Sequence, residues 1–297
     1  MQISEEYKII ETLGSQKRRK FGTTYLTEHR ETKKKAVLKH IIKDGNKQHI
    51  HERLIAEASF YFDEIELPKV LKLEEHSDEI FLLLDYKPGK TVDRYWESLK
   101  RRERFSFVCQ FMEKLQLIFE TLERRNIVHC DIKPSNILIA QKENSFDVYL
   151  IDFGLSISTN QTEERKLLFP LGYAAPELLL NHLDCVNQRT DQFSLGVLIW
   201  RLYVGRLPLT HPNPSIFTNL QLTHPLPEHS SVPKKVFMIL KKMTYKHQFE
   251  IPPNKMNKRD VKDKLAGAMT KRYHSFEEIT LAFQSIKPPF YQIRSRR

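Results

Sequence analysis

Strand-like and helix-like segments are segregated along this chain, and the change falls at the turn Lys87-Pro88-Gly89. Before it, Tyr7 to Leu13, Thr23 to His29 and Ala36 to Ile42 are short β-prone runs, with a charged turn at Glu31 to Lys35 joining the last two. Three such runs in succession predict an antiparallel sheet. Apolar residues at Leu54, Ile55, Ala58, Tyr61, Phe62 and Ile65 predict one helix over His51 to Ile65, and strands resume at Val70 to Leu73 and Ile80 to Leu84. Beyond the turn, Val108, Phe111, Met112, Leu115, Ile118, Phe119 and Leu122 mark a long amphipathic helix. A second apolar helix, Phe193 to Tyr203, ends at Gly205 as at a C-cap, and the Pro- and His-rich stretch from Leu207 to Pro233 is expected to be an extended connector. The expected class is α+β: a sheet lobe with one helix over residues 1–87, a mainly helical lobe over 88–288 and a basic tail over 289–297.

Length and charge narrow the function classes. The chain has 297 residues, enough for two lobes around a cleft, and 48 Lys and Arg against 37 Asp and Glu give a net charge of +11. That excess points to polyanionic partners: nucleic acid, an acidic surface or phosphate-bearing small molecules. The three cysteines, Cys109, Cys130 and Cys185, are odd in number and irregularly spaced, which excludes a disulfide scaffold and favours a reducing compartment. No segment approaches the roughly 20 apolar residues of a membrane span, and Met1 to Glu6 carries no basic-then-apolar leader, so a cytoplasmic protein without membrane insertion is expected.

Two polar clusters lie between the long helices, each against a short apolar strand. The first is His129-Cys130-Asp131-Ile132-Lys133-Pro134-Ser135-Asn136, followed by Ile137-Leu138-Ile139; the second is Asp152-Phe153-Gly154 after Val148-Tyr149-Leu150-Ile151. Asp131, Lys133 and Asn136 can point into one cleft from a single loop, with Asp152 arriving from the next hairpin. Two carboxylates and an amide suit phosphate and a divalent metal, because Mg²⁺ takes hard oxygen ligands and is completed by substrate phosphates. The competing reading, that buried Asp and Asn only cap turns, is hard to extend to all of these positions together.

At these residues the chain resembles the eukaryotic-type (Hanks-type) protein kinase family, serine/threonine class, whose signature includes H-R-D-x-x-x-x-N and D-F-G. The likeness runs from about Tyr7 to about Ile286, with the motifs in the family's order. The resemblance implies a bilobal protein-kinase-like fold and transfer of the γ-phosphoryl of ATP, with Mg²⁺, to a protein hydroxyl. It implies that Asp131 accepts the hydroxyl proton, that Lys133 neutralises the transferring group, and that Asn136 and Asp152 hold the metal. Lys39, in Ala36-Val37-Leu38-Lys39, is expected to bind the α and β phosphates and to pair with Glu57, which lies one turn before Tyr61 on the side expected to face the sheet. Gly14, Gly22, Thr24, Val37, Leu138 and the hinge residues Asp85 and Lys87 complete the implied nucleotide contacts, with Leu84 as gatekeeper. Gly172 to Glu177 resembles the peptide platform ending in A-P-E, Asp191 is expected to anchor the catalytic-loop backbone, and Arg272 to form a partly buried pair with Glu177. Lys133 favours serine or threonine over tyrosine.

Several positions depart from that pattern. Leu13-Gly14 is separated from Phe21-Gly22 by Ser15-Gln16-Lys17-Arg18-Arg19-Lys20, so the glycine loop is longer and lacks its middle glycine. Its four cations either supplement phosphate binding or form a solvated tip. Thr24 replaces the usual valine and Val37 the usual alanine. Cys130 takes the place of the arginine that clamps a phosphorylated loop, so phosphorylation of Ser156, Ser158, Thr159 or Thr162 is expected not to be required. Pro170 stands where a threonine is usual. These departures keep a second reading open, a pseudokinase acting as a nucleotide-binding scaffold. Phosphorylation of a small molecule fits the same residues, but the platform argues for protein. Residues 248–270 look inserted; their Lys255, Lys258, Arg259, Lys262 and Lys264, with the basic tail and Lys17 to Lys20, could meet an acidic protein or nucleic acid. The histidines show no metal-ligating spacing.

Overall fold

The computed structural model describes residues 3–14, 22–43, 48–161 and 167–286. They divide into two compact units: residues up to Gly89 with Tyr149–Leu155 and residue 167, and Lys90–Val148 with 156–161 and 168–286. The boundary read near residue 87 in the sequence did not foresee that 149–155, which carries Asp152, packs with the first unit.

The first unit opens with a short helix α1 (Ile3–Glu6) and strands β1 (Tyr7–Leu13), β2 (Thr23–His29) and β3 (Lys35–Ile42). Helix α2 (Gln48–Ser59), β4 (Val70–Glu75) and β5 (Glu79–Asp85) follow, and the five strands form an antiparallel sheet in the order β1-β2-β3-β5-β4. Side chains alternate between faces, and cross-strand partners share one. Thus Ile41, Ile80, Leu82 and Leu84 pack with Ile50 and Leu54 of α2, whereas Ala36, Leu38 and Leu83 pack with Ile3 of α1.

Helix α2 corrects the expectation of a helix from His51 to Ile65: it stops at Ser59. Tyr61 and Ile65 are 54% and 71% exposed, while Phe62 is fully buried with its ring 4.6 Å from that of Phe153. The apolar spacing imitates one more helical turn, but burying Phe62 against a residue distant in sequence takes the chain out of the helix.

In the second unit, β6 (Lys90–Thr91) leads to α3 (Val92–Ser98), α4 (Arg104–Arg124) and β7 (Ile127–Val128). β8 (Ile137–Gln141) and β9 (Phe146–Leu150) complete a small sheet with β6, and β10 (Ile157–Ser158) pairs with β7. Helices α5 (Pro176–Leu179), α6 (Gln188–Val204), α7 (Pro214–Thr223), α8 (Lys234–Met243), α9 (Lys258–Met269) and α10 (Phe276–Gln284) form the rest. α6 ends at Gly205 with φ 85°, as its sequence predicts, but starts five residues before the expected Phe193, in a reciprocal cap between Asn187 and Thr190. α4 and α10 meet through Phe119 and Phe276, stacked 3.9 Å apart.

Two expectations change here. The stretch from Leu207 to Pro233 is not wholly extended, because Asn213 caps α7 through the amides of Ser215 and Ile216, with Pro214 at the first helical position. Residues 248–270 are more than a solvated charged run: Val261 and Leu265 of α9 are buried with Phe249, against Leu180 and Met256.

Candidate active site

Four charged side chains meet in the first unit. Lys39 Nζ on β3 lies 2.7 and 2.6 Å from the two oxygens of Glu57 on α2, and 2.9 Å from Asp152 Oδ1. Glu57 is buried beside Ile50 and Leu54 on one face of α2. That face, and not a following turn through Tyr61, aims its carboxylate at the sheet. Burial works to depress the Lys39 pKa, but the carboxylates of Asp152 and Glu57 outweigh it and hold the ammonium above its ordinary value.

Asp152 has φ 71°, a left-handed conformation uncommon outside glycine, and such strain persists only where neighbours enforce it. Phe153, fully buried between Phe62 and Phe60, is one such neighbour. Arg53 is another: its Nη2 lies 3.3 Å from Asp152 Oδ2. The sequence reading passed over Arg53, although it stands four residues before Glu57 and so one turn away on the same helix face.

The positions expected to meet a nucleotide sort by the pleat. Thr24 pairs with Lys39, and Val37 with both Leu26 and Leu84, so Thr24, Val37, Lys39 and Leu84 share the face on which α2 lies. Gly22 has φ 99°, and a Cβ there would stand 2.7 Å from Ile41 Cγ1 and 2.8 Å from the His40 oxygen, so only glycine fits. Gly14 is also left-handed, at φ 85°, and exposed. The loop from Ser15 to Phe21, with its four cations, lies outside the described residues. The Asp85 carboxylate accepts from the Lys69 amide at 2.7 Å and pairs with Lys87 Nζ at 2.8 Å, and Nζ also donates to the Ile65 oxygen at 2.7 Å. These side chains therefore brace the segment that follows β5, where the Asp85 amide also donates to the Lys69 oxygen at 3.0 Å.

In the second unit, Asp131, Lys133 and Asn136 form one constellation. Asp131 Oδ2, buried, accepts from Lys133 Nζ at 2.6 Å and from Asn136 Nδ2 at 3.1 Å. Asn136 Nδ2 also donates to the Asp131 carbonyl at 3.0 Å, within a one-turn 3-10 helix over Pro134–Asn136. Behind the loop, the Asp191 carboxylate accepts from the amides of His129 at 2.8 Å and Cys130 at 2.9 Å. Burial pushes the Asp191 pKa up to about 7 against those two donors. His129 Nδ1 accepts from the Asp131 amide at 3.2 Å. Leu138, half-buried, pairs with Thr91. Cys130, with φ 61°, is 1% exposed, a small packed side chain.

In the second unit Asn136 donates through Nδ2 while its Oδ1 accepts from Ser135 Oγ at 3.2 Å; in the first, both Asp152 oxygens are held by cations. An amide oxygen and a carboxylate are each hard donors of the kind Mg²⁺ takes. Among the described residues no group of three or more His, Cys, Asp or Glu could hold a metal ion.

The platform segment is tied to the core of this unit. Gly172 has φ 106°, and the Leu207 side chain fills the space a Cβ would need. The pair expected to be partly buried is wholly so: Arg272 Nη1 and Nη2 lie 2.7 and 3.0 Å from the Glu177 oxygens, with side chains 1% and 0% exposed. Ser156 is also buried and donates to the His129 oxygen at 3.2 Å, so it is shielded as a modification site, whereas Thr159 is exposed. Thr162 and the basic tail lie outside the described residues, and Lys262 of α9 pairs with Asp184 at 2.5 Å. No helix among the described residues is long and apolar enough to cross a membrane.

The family model of the protein kinase domain matches residues 7–265. The SNF1-like protein kinase ssp2 of Schizosaccharomyces pombe is 31% identical over 207 residues, covering 68% of this chain and 34% of its own length. Aurora kinase A-A of Xenopus laevis is 29% identical over 210 residues, 69% of this chain and 49% of its own. The Aurora/IPL1-related protein kinase 2 of Caenorhabditis briggsae is 27% identical over 205 residues, 65% of this chain and 63% of its own. The chain thus spans about a third to two-thirds of the length of these relatives.

Proposed function

Because this chain belongs to the protein kinase family, we propose that it transfers the γ-phosphoryl group of ATP to a serine or threonine hydroxyl of a protein, with Mg²⁺ as the metal. The observation that carries this reading is the support around Asp131: a buried carboxylate held by Lys133 and Asn136 on a loop anchored by Asp191. An acceptor hydroxyl placed against Asp131 gives up its proton there as its oxygen attacks the γ-phosphorus, while the bond from that phosphorus to the β,γ-bridging oxygen breaks and ADP leaves. Lys133 stands beside that carboxylate, with Nζ 2.6 Å from Asp131 Oδ2, and offsets charge on the transferring group. Lys39, kept protonated by Glu57 and Asp152, holds the α and β phosphates, while Asn136 and Asp152 would hold Mg²⁺, which when bound neutralises phosphate charge. Little covalent chemistry is asked of the protein; positioning and charge do the work.

Thr24, Cys130 and Pro170 favour a second reading, a scaffold that binds nucleotide without transfer. The two differ in one measurement: incorporation from radiolabelled ATP into a generic protein substrate by the purified chain. The enzyme reading expects Mg²⁺-dependent incorporation that Asp131→Ala lowers by at least ~10²-fold, the usual scale of a positioned base. No incorporation by the wild type, or equal incorporation by the variant, rejects it.

A further inference from the structure

Arg53 sits one helical turn before Glu57 on α2, and its guanidinium reaches Asp152 Oδ2 at 3.3 Å, both side chains being about a quarter exposed. The other oxygen of that carboxylate, Oδ1, is taken by Lys39 Nζ at 2.9 Å. Gly154 makes the approach possible, since a Cβ there would stand 2.6 Å from Arg53 Cγ and 2.7 Å from Nε. Among the described residues, two cations, Lys39 and Arg53, face two carboxylates, Glu57 and Asp152. This arrangement conflicts with Asp152 acting as a metal ligand, because a guanidinium and a divalent cation repel each other and compete for the same carboxylate oxygens.

We propose that Arg53 is a positioning residue that holds Asp152 Oδ2 in competition with Mg²⁺, and so sets the metal concentration at which metal–nucleotide binds. The inference rests on the proposed function. It also fixes the sign of the effect. If Arg53 only braced α2 against residues 152–154, its removal would loosen Asp152 and weaken metal binding; as a competitor, its removal strengthens it.

The test follows binding of a fluorescent ATP analogue to the full chain as Mg²⁺ is titrated, for wild type, Arg53→Gln and Arg53→Lys, with thermal unfolding of each variant as a check on folding. The Mg²⁺ midpoint is expected to fall about threefold to tenfold in R53Q, the scale of losing a partly exposed charge contact next to a divalent ion. R53K, which keeps the charge but loses the planar fork, should fall by less. An unchanged or raised midpoint in R53Q overturns the proposal. Should R53Q fail to fold, an R53K midpoint at or above that of the wild type does the same. A wild-type chain that binds the analogue with no dependence on Mg²⁺ rejects the metal–nucleotide function itself, a failure distinct from the other two.

Discussion

Lys246 lies almost wholly inside the second unit, its ammonium donating to the Gln221 carbonyl oxygen and 5.9 Å from the centre of the Phe193 ring. Burial, helped by the charge of Arg272, pushes its pKa down to about 7. The unfolded chain holds this proton up to the ordinary 10.5, so above about pH 7 the unfolded state binds more protons than the folded one. Stability from this residue is therefore gained as pH rises from 7 towards 10.5, by up to ~1.4 kcal/mol per pH unit, and lost as pH falls through 7. Asp191, raised to about 7 from 3.8, acts in a lower window: its contribution is lost as pH rises through 7, which leaves the alkaline side to Lys246. Urea unfolding at pH 7.5 and 8.5 should show the wild type gaining on Lys246→Met by up to that slope. A pH-independent difference between the two proteins would show that the ammonium is not penalised by burial.

Two glycines separate what a helix needs inside from what it needs at its end. Gly267 lies within α9 and Gly205 just beyond α6 at φ 85°, and a Cβ at either would meet nothing within 4 Å. Packing is therefore silent, and only the backbone decides. Gly267→Ala should stabilise the chain by about 0.5–1 kcal/mol through helix propensity, and Gly205→Ala should destabilise it by about 1 kcal/mol through left-handed strain. Urea midpoints moving in opposite directions at constant slope would show this, and shifts of one sign would refute it. The same locality explains what could be read in advance. The end of α6 was legible because a C-cap glycine acts through its own φ. The end of α2 was not, because it depends on Phe62 finding Phe153. α7 carried a local cap in Asn213-Pro214, but the surrounding prolines and histidines hid it, and the short α3 was not foreseen at all.

Across the whole chain, the contacts of Lys39 with Glu57 and of Asp131 with Asn136 were legible because residue types and order are constrained together. Their supports were not: Arg53 on Asp152, and the return of residues 149–155 to the first unit, arise from packing between segments far apart in sequence. Nucleotide linkage tests whether these parts work as one. A ligand that binds only the folded chain at a hundredfold excess over its Kd stabilises it by about 2.7 kcal/mol. At roughly 2–4 °C per kcal/mol for a protein of this size class, Mg²⁺ and ATP together should raise the melting temperature by about 5–10 °C. Asp152→Asn should lose the metal-dependent part of that rise, because it removes the carboxylate charge. Asp131→Ala should keep the rise while losing transfer, since the role proposed for Asp131 is toward the acceptor hydroxyl. If Asp131→Ala lost the rise as completely as Asp152→Asn, the division of labour between proton acceptor and metal ligand would be wrong. A full rise in a wild-type chain that transfers nothing would move this protein to the scaffold reading.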